Sequence, residues 1–326
     1  MAEHEEMVQS ADFKDRKVRL VVFGILQIIL GSLSALTVPL MIFGMIATAA
    51  RKDAAESVNV RTMIPGVLLY TLLGVWFIWM GIGSVKVRRW ARALILVSSW
   101  IWLICGTLGF AFVLLMIPNM YDKMAESGKI PGAVEIVIMC VMVTFMVMFY
   151  VIIPGLLVLF YSGRNVKATF EYRDPKVRWT DKCPLPVLAI SLMTVGWAIS
   201  MLWMGIYKWT IPFFGSILSG TAGAIVILIL ILLLIYTAYG TYKLDIKAWW
   251  CALLHIAGWS LSTIVTFSRV NIQDYYDKMG FSGQQLESMK QYCAILGSNM
   301  NLFLGFWAIA VIAYLIYIRR YFTKVL

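Results

Sequence analysis

The sequence predicts an all-α integral membrane protein of eight transmembrane helices, arranged as two tandem, parallel four-helix repeats with both termini cytoplasmic. Three observations predict it: eight long apolar runs, a lopsided distribution of basic residues, and a polar octet written twice. The octets read YDKMAESG from Tyr121 to Gly128 and YDKMGFSG from Tyr276 to Gly283.

Of 326 residues, 61% are hydrophobic and 14% charged, whereas soluble domains average roughly 45 to 50% apolar and about 25% charged. A helix rising about 1.5 Å per residue needs roughly 20 residues to cross about 30 Å of hydrocarbon. Runs of that kind lie at Arg19 to Thr48, Met63 to Val85, Ala91 to Ile117 and Ala133 to Tyr161. Four more follow at Pro186 to Tyr207, Pro212 to Tyr239, Ala248 to Ser268 and Cys293 to Ile318. The first run is about twice the ~7–15-residue core of a secretory signal and follows Glu3, Glu5 and Glu6, so it is expected to remain as an anchor. The linkers leave no room for a separate soluble domain.

Basic residues concentrate on the cytoplasmic side of membrane proteins. With the amino terminus inside, 19 of the 28 Lys and Arg residues fall on inner segments and 9 on outer ones. The 17 acidic residues divide almost evenly, so nearly all of the net charge of +11 lies inside. The charge therefore reads as topology, and nucleic acid is not an expected partner. It also suits anionic inner-leaflet lipids, where each juxtamembrane Lys or Arg contributes about 1 kcal/mol. The expected location is the cytoplasmic (inner) membrane.

The octets prompt a search for a longer repeat. Gly83 and Lys86 after the second run match Gly240 and Lys243 after the sixth. Trp90, Ala93, Leu94, Trp100 and Thr107 match Trp249, Ala252, Leu253, Trp259 and Thr266 at a constant offset of 159. Gly31 and Ala35 in the first run, and Gly196 and Ser200 in the fifth, each form a small-xxx-small step that permits close helix approach. The expected organisation is an acidic tail (1–18), a first four-helix repeat (19–170), a linker (171–185) and a second repeat (186–326). Parallel repeats of this kind are related by an axis along the membrane normal.

Both octets then face outward, and each is expected to form a short interfacial helix. Gly128 and Pro131 would end the first, while Ser282-Gly283-Gln284-Gln285 after the second fits a capping box. Tyr121, Asp122, Lys123, Tyr276, Asp277 and Lys278 are candidate binding residues on this reading. The competing reading is a covering turn kept because it packs well.

Ionisable residues deep in a bilayer are functional candidates, because each costs at least about 2.5 kcal/mol to insert. No Asp, Glu, Lys or Arg occupies the centre of a run, which disfavours ion-coupled transport through buried carboxylates. His255 is the exception. It could ligate a haem or a chlorin-type pigment, but the second axial histidine of a bis-histidine haem could only be His4. A packed, neutral, hydrogen-bonded histidine is the expectation, with no cofactor. Asn299, Asn301 and Gln27 are expected to bond neighbouring helices, or else to line a solute path. Pro39 and Pro154 each remove a helix hydrogen bond and should kink their helices.

Five cysteines with no CxxC pair exclude a disulfide framework or zinc site. Neither an HExxH metal pattern nor a GxxxxGK[ST] phosphate loop is present. The expected function is a non-enzymatic membrane subunit or scaffold that binds partner membrane helices or lipids within a larger assembly. The alternatives are a transporter or channel for an uncharged or lipophilic solute, and a cofactor or pigment carrier through His255.

Overall fold

A computed structural model describes residues 13–50, 63–127, 132–281, 286–287 and 299–322. Among these residues, eight helices are long and apolar enough to cross a membrane, the architecture of a multi-pass membrane protein. The first three spans are α1 (Lys17–Ala50), α2 (Ile64–Val85) and α3 (Arg89–Ser127). The fourth joins α4 (Gly132–Val147) to α5 (Ile153–Ser162) through a π turn at Met148–Ile152. After α6 (Arg164–Arg173), outside the spans, come α7 (Leu185–Leu202), α8 (Gly220–Tyr242) and α9 (Ile246–Arg269). The short α10 (Ile272–Met279) and the last span, α11 (Asn299–Ile318), complete the order.

Glycine decides how α1 and α2 pair. A methyl placed on Gly31 would stand 2.8 Å from the carbonyl oxygen of Gly74, and one on Gly81 would stand 2.7 Å from that of Gly24. Only glycine allows backbones this close, and van der Waals contact replaces a hydrophobic driving force that lipid surroundings cannot supply. The matching step in α7 is not used this way, because a methyl on Gly196 meets no described atom within 4 Å. Instead α7 meets α8 through Ser191, whose hydroxyl donates to the Ala238 carbonyl at 2.7 Å.

Span α3 is the seam between the halves. Ala91, Leu94 and Ile95 pack with Leu20, Met80, Val158 and Tyr161, while Ala93 and Val97 pack with Val187, Ala252 and Leu315. A third cluster joins Ala198, Ile211, Ile227, Ile231 and Leu234 in the second half. Within the first cluster the fully buried Ser84 donates to the Leu20 carbonyl at 3.1 Å and shares a 2.6 Å hydrogen bond with the Tyr161 hydroxyl.

Two turns have the same backbone pattern. Lys86, Val87 and Arg88 donate their N–H groups to Ile82, Ser84 and Gly83; Lys243, Leu244 and Asp245 donate theirs to Tyr239, Thr241 and Gly240. Val87 and Leu244 both take positive φ, 50° and 61°. A methyl on Gly83 would meet the Ala91 side chain, and one on Gly240 the Ala248 side chain. These pairs are all 157 residues apart, two fewer than the offset of the sequence identities inside the helices. The turn geometry thus equates Ala248 with Ala91, and places Trp249 opposite Arg92.

Two expectations are corrected, and one stretch is given its structure. The stretch 171–185, read as a linker, begins within the last turn of α6 and contains a 3-10 turn at Trp179–Asp181. Val166, Thr169 and Phe170 are the buried face of α6. Of the two corrections, the first is that the sixth span begins at Gly220 and not at Pro212, because Ile211–Phe213 and Ser216–Leu218 form an antiparallel hairpin, β1 and β2. Its turn residues Phe214 and Gly215 both take positive φ, as two-residue hairpins demand. Second, the first octet is not a separate helix: residues 121–127 continue α3 without a break, whereas the first four residues of the second, Tyr276 to Met279, end the detached α10. The difference has a local cause. The Asn271 side chain caps α10 by accepting from the Gln273 N–H at 3.0 Å, and the residue 155 positions earlier is Met116, which cannot cap.

At Pro154 the missing N–H coincides with the π turn just before it, which reroutes the ladder. The helix α1 runs through Pro39.

Candidate functional site

Several spaces in the described structure are large enough to hold a ligand. One is a cleft of about 720 Å³ where α3 meets α7 and α11. Leu96, Val97, Ile101, Ala189, Ile190 and Val311 line it, and its polar atoms belong only to Trp100, Cys105, Trp307, Tyr314 and Tyr317 or to the backbone. Tyr314 is already engaged, donating from its hydroxyl to the Pro186 carbonyl at 2.7 Å. The wall is therefore suited to hydrocarbon. Neither Gln27 nor Asn301 lines it.

A second region, of two adjoining spaces, lies in the second half under the hairpin. Ser262 donates to the Pro212 carbonyl at 3.2 Å and accepts from the Phe214 N–H at 3.0 Å, while Thr266 accepts from the Gly215 N–H at 3.0 Å. These bonds pin the hairpin to α9. Beneath it an inner cavity of about 190 Å³ is walled by Trp197, Trp259, Trp307 and Tyr275, with Met201 and Met204. An outer groove of about 540 Å³ runs along α8 and α9, lined by Val226, Leu230, Leu233, Leu254 and Phe213. Ile211, Pro212, His255 and Trp259 border both spaces.

His255 is partly buried, and no hydrogen bond to its ring is formed among the described residues. The structure places it at the border of both spaces. Most of the residues that share those spaces with it are apolar, Met201, Met204, Val226 and Leu230 among them, and the hydroxyls of Ser200 and Thr210 also border the inner cavity. Tyr275, beside the inner cavity, has its pKa pushed up to about 12 by burial first and then by the neighbouring Tyr276. It stays a neutral phenol at physiological pH.

The second octet is occupied structurally. Lys278 donates from Nζ to the Ile217 carbonyl at 3.3 Å, and its own carbonyl accepts from Thr210 at 3.2 Å. Gly280 ends α10 with φ +93°, and a methyl placed on it would meet the Lys208 side chain. Tyr276 packs edge-on against Phe281, and Asp277 makes no ion pair among the described residues. These contacts fasten α10 to the hairpin, as a covering turn would. The side chains of Tyr121, Asp122, Lys123 and Asn299, like Ser282-Gly283-Gln284-Gln285, lie outside the described residues. Asn301 donates to Ser268 at 3.5 Å and leaves its Oδ1 buried without a partner. Gln27 is 1% exposed, with Oε1 also unpartnered.

An electrostatic cluster joins the start of α3 to the segment that follows α6. The Asp174 carboxylate, 4% exposed, accepts from the Arg89 N–H at 3.1 Å and so caps α3 from another segment. Arg178 grips the same carboxylate through two nitrogens, at 2.7 and 3.1 Å. Arg89 pairs in turn with Asp181 at 3.4 Å and Glu171 at 3.5 Å. Burial alone would raise the pKa of Asp174, but the hydrogen bonds from Arg178 and Arg89 outweigh it and hold the carboxyl below its usual range. The cluster is saturated by its own partners, which marks it as a fastening and not a receptor.

Among the described residues no group of three His, Cys, Asp or Glu could hold a metal ion. Comparison with protein-family models, curated proteins and solved structures gives no match.

Proposed function

We propose that this chain is a non-enzymatic membrane subunit that holds an apolar occupant, a lipid chain or a partner helix, in the cleft between α3, α7 and α11. One observation carries the reading: a cleft of about 720 Å³ with an apolar wall, at the seam between the halves. Spaces of that size match drug-sized ligands or lipid chains. A solute path would need polar groups in line, and Gln27 and Asn301, two of the side chains nominated for one, do not line the cleft.

The same reading makes the chain two tandem four-helix units with both termini in the cytoplasm of the inner membrane. Its support is the pair of turns matched 157 residues apart and the excess of basic residues on one side. Anionic lipids of that leaflet are the natural partners of the exposed Lys and Arg.

Filling the cleft tests the proposal. In Ala189→Phe with Ala313→Phe, native mass spectrometry of the chain purified in mild detergent should show loss of the lipid or partner mass that accompanies the unaltered protein. Retention of that mass in a folded double variant would sink the reading. Cysteines placed at Lys86 and Lys243 should react with a membrane-impermeant thiol reagent only from the cytoplasmic side; labelling from opposite sides would break the two-unit topology.

A further inference from the structure

We propose that the His255 site binds a lipid-soluble quinone, a planar carbonyl-bearing ring on an isoprenoid tail. Three features point to it, none of which the cleft shares apart from the Trp307 wall between them.

The first is His255 itself. A neutral imidazole carries one donor and one acceptor, and in an apolar setting an unused polar group is costly. His255 fronts a space and has no protein partner among the described residues, so a ligand carbonyl or hydroxyl would complete it. The second is the inner wall. Trp197, Trp259, Trp307 and Tyr275 offer ring faces and edges on which a flat ring can stack, and no Asp, Glu, Lys or Arg lines the cavity. An uncharged ring is matched there and an ion is not. With about 190 Å³, the inner cavity takes one such ring, while a haem or chlorin macrocycle calls for more room.

The third feature is the outer groove. It shares Ile211, Pro212, His255 and Trp259 with the inner cavity and continues along Leu230, Leu233 and Leu254. Leu254 is 68% exposed on a span, so the groove opens toward the lipid tails. A ligand with a ring at His255 would lay its tail there and could arrive from the bilayer without crossing water. The hairpin closes the site on the side of α10.

A decyl-substituted benzoquinone, titrated into the full-length protein in nonionic detergent with tryptophan emission as the readout, tests this directly. Saturable quenching at one quinone per chain is expected, with affinity lowered about tenfold or more in His255→Leu, the scale of one hydrogen bond, and largely kept in His255→Gln. Leu254→Trp, which narrows the groove and leaves His255 in place, should weaken binding as well. This second variant serves if His255→Leu does not fold. The filled cleft variant Ala189→Phe with Ala313→Phe should bind quinone as the unaltered chain does, which separates this site from the cleft. Quenching that rises without saturation, or affinity unchanged in folded His255→Leu or in Leu254→Trp, would overturn the proposal.

Discussion

Gly31→Leu is expected to lower the stability of the folded protein by about 3 kcal/mol, the upper end of what overpacking costs, or to prevent its accumulation. The reason is that the obstacle is backbone. The new side chain would begin 2.8 Å from the Gly74 carbonyl oxygen and from the backbone nitrogen of Ile78, and neither can swing aside as a side-chain tip could. The spans α1 and α2 would have to part along their contact, losing the dispersion that holds helices together in lipid. Gly196→Leu is the comparison, since it meets no described atom within 4 Å and should change stability by no more than about 0.5 kcal/mol. Unfolding midpoints in detergent would decide between them. Equal effects of the two substitutions would show that the close approach of α1 and α2 does not govern stability.

Asp174→Ala should cost about 1 to 3 kcal/mol, the range for leaving hydrogen-bonding groups without a partner. Two groups are orphaned at once, the Arg178 guanidinium and the Arg89 N–H that opens α3. Arg178 keeps 26% of its side chain in solvent, so water recovers part of the loss. Asp174→Asn should cost less, because its amide oxygen still caps α3.

The pH dependence carries a definite sign. The carboxyl is held below its usual pKa when folded, so its contribution is complete above about 3.9, the unfolded value, and is lost as pH falls through the lower folded value. Melting the unaltered protein between pH 7 and pH 3 should reveal this decline, flattened in Asp174→Ala. Identical profiles would mean that Asp174 does not stabilise the fold.

The two halves of the candidate ligand space were unequally legible. His255 stands out in the sequence as the one ionisable residue well inside a run, and that contrast survives in the structure. That it fronts two spaces does not follow from sequence, because a helix only 24 residues long can turn any face to its neighbours. The cleft had no signal at all. Its lining residues Leu96, Ala189 and Val311 are indistinguishable in type from residues that face lipid, such as Leu159, Val195 and Ile309. The hairpin was hidden for a related reason: Ile211, Pro212 and Phe213 extend an apolar run, and only the two positive φ values after them mark a turn. Tyr121 and Tyr276 open nearly identical octets, yet what precedes each decides its local structure, Met116 in one case and the capping Asn271 in the other.

By itself, then, the sequence determined the eight membrane-spanning helices, because crossing hydrocarbon requires a run of apolar residues and that requirement is local. It also determined the tightly turned links after the second and sixth spans, where Gly83 and Gly240 are needed by their immediate neighbours. Only the tertiary structure decided which apolar faces meet protein and which meet lipid. In a soluble protein that choice is written as polarity; in a membrane both surroundings are equally apolar, so the cleft, the hairpin and the two spaces that meet at His255 emerge only when the helices are packed.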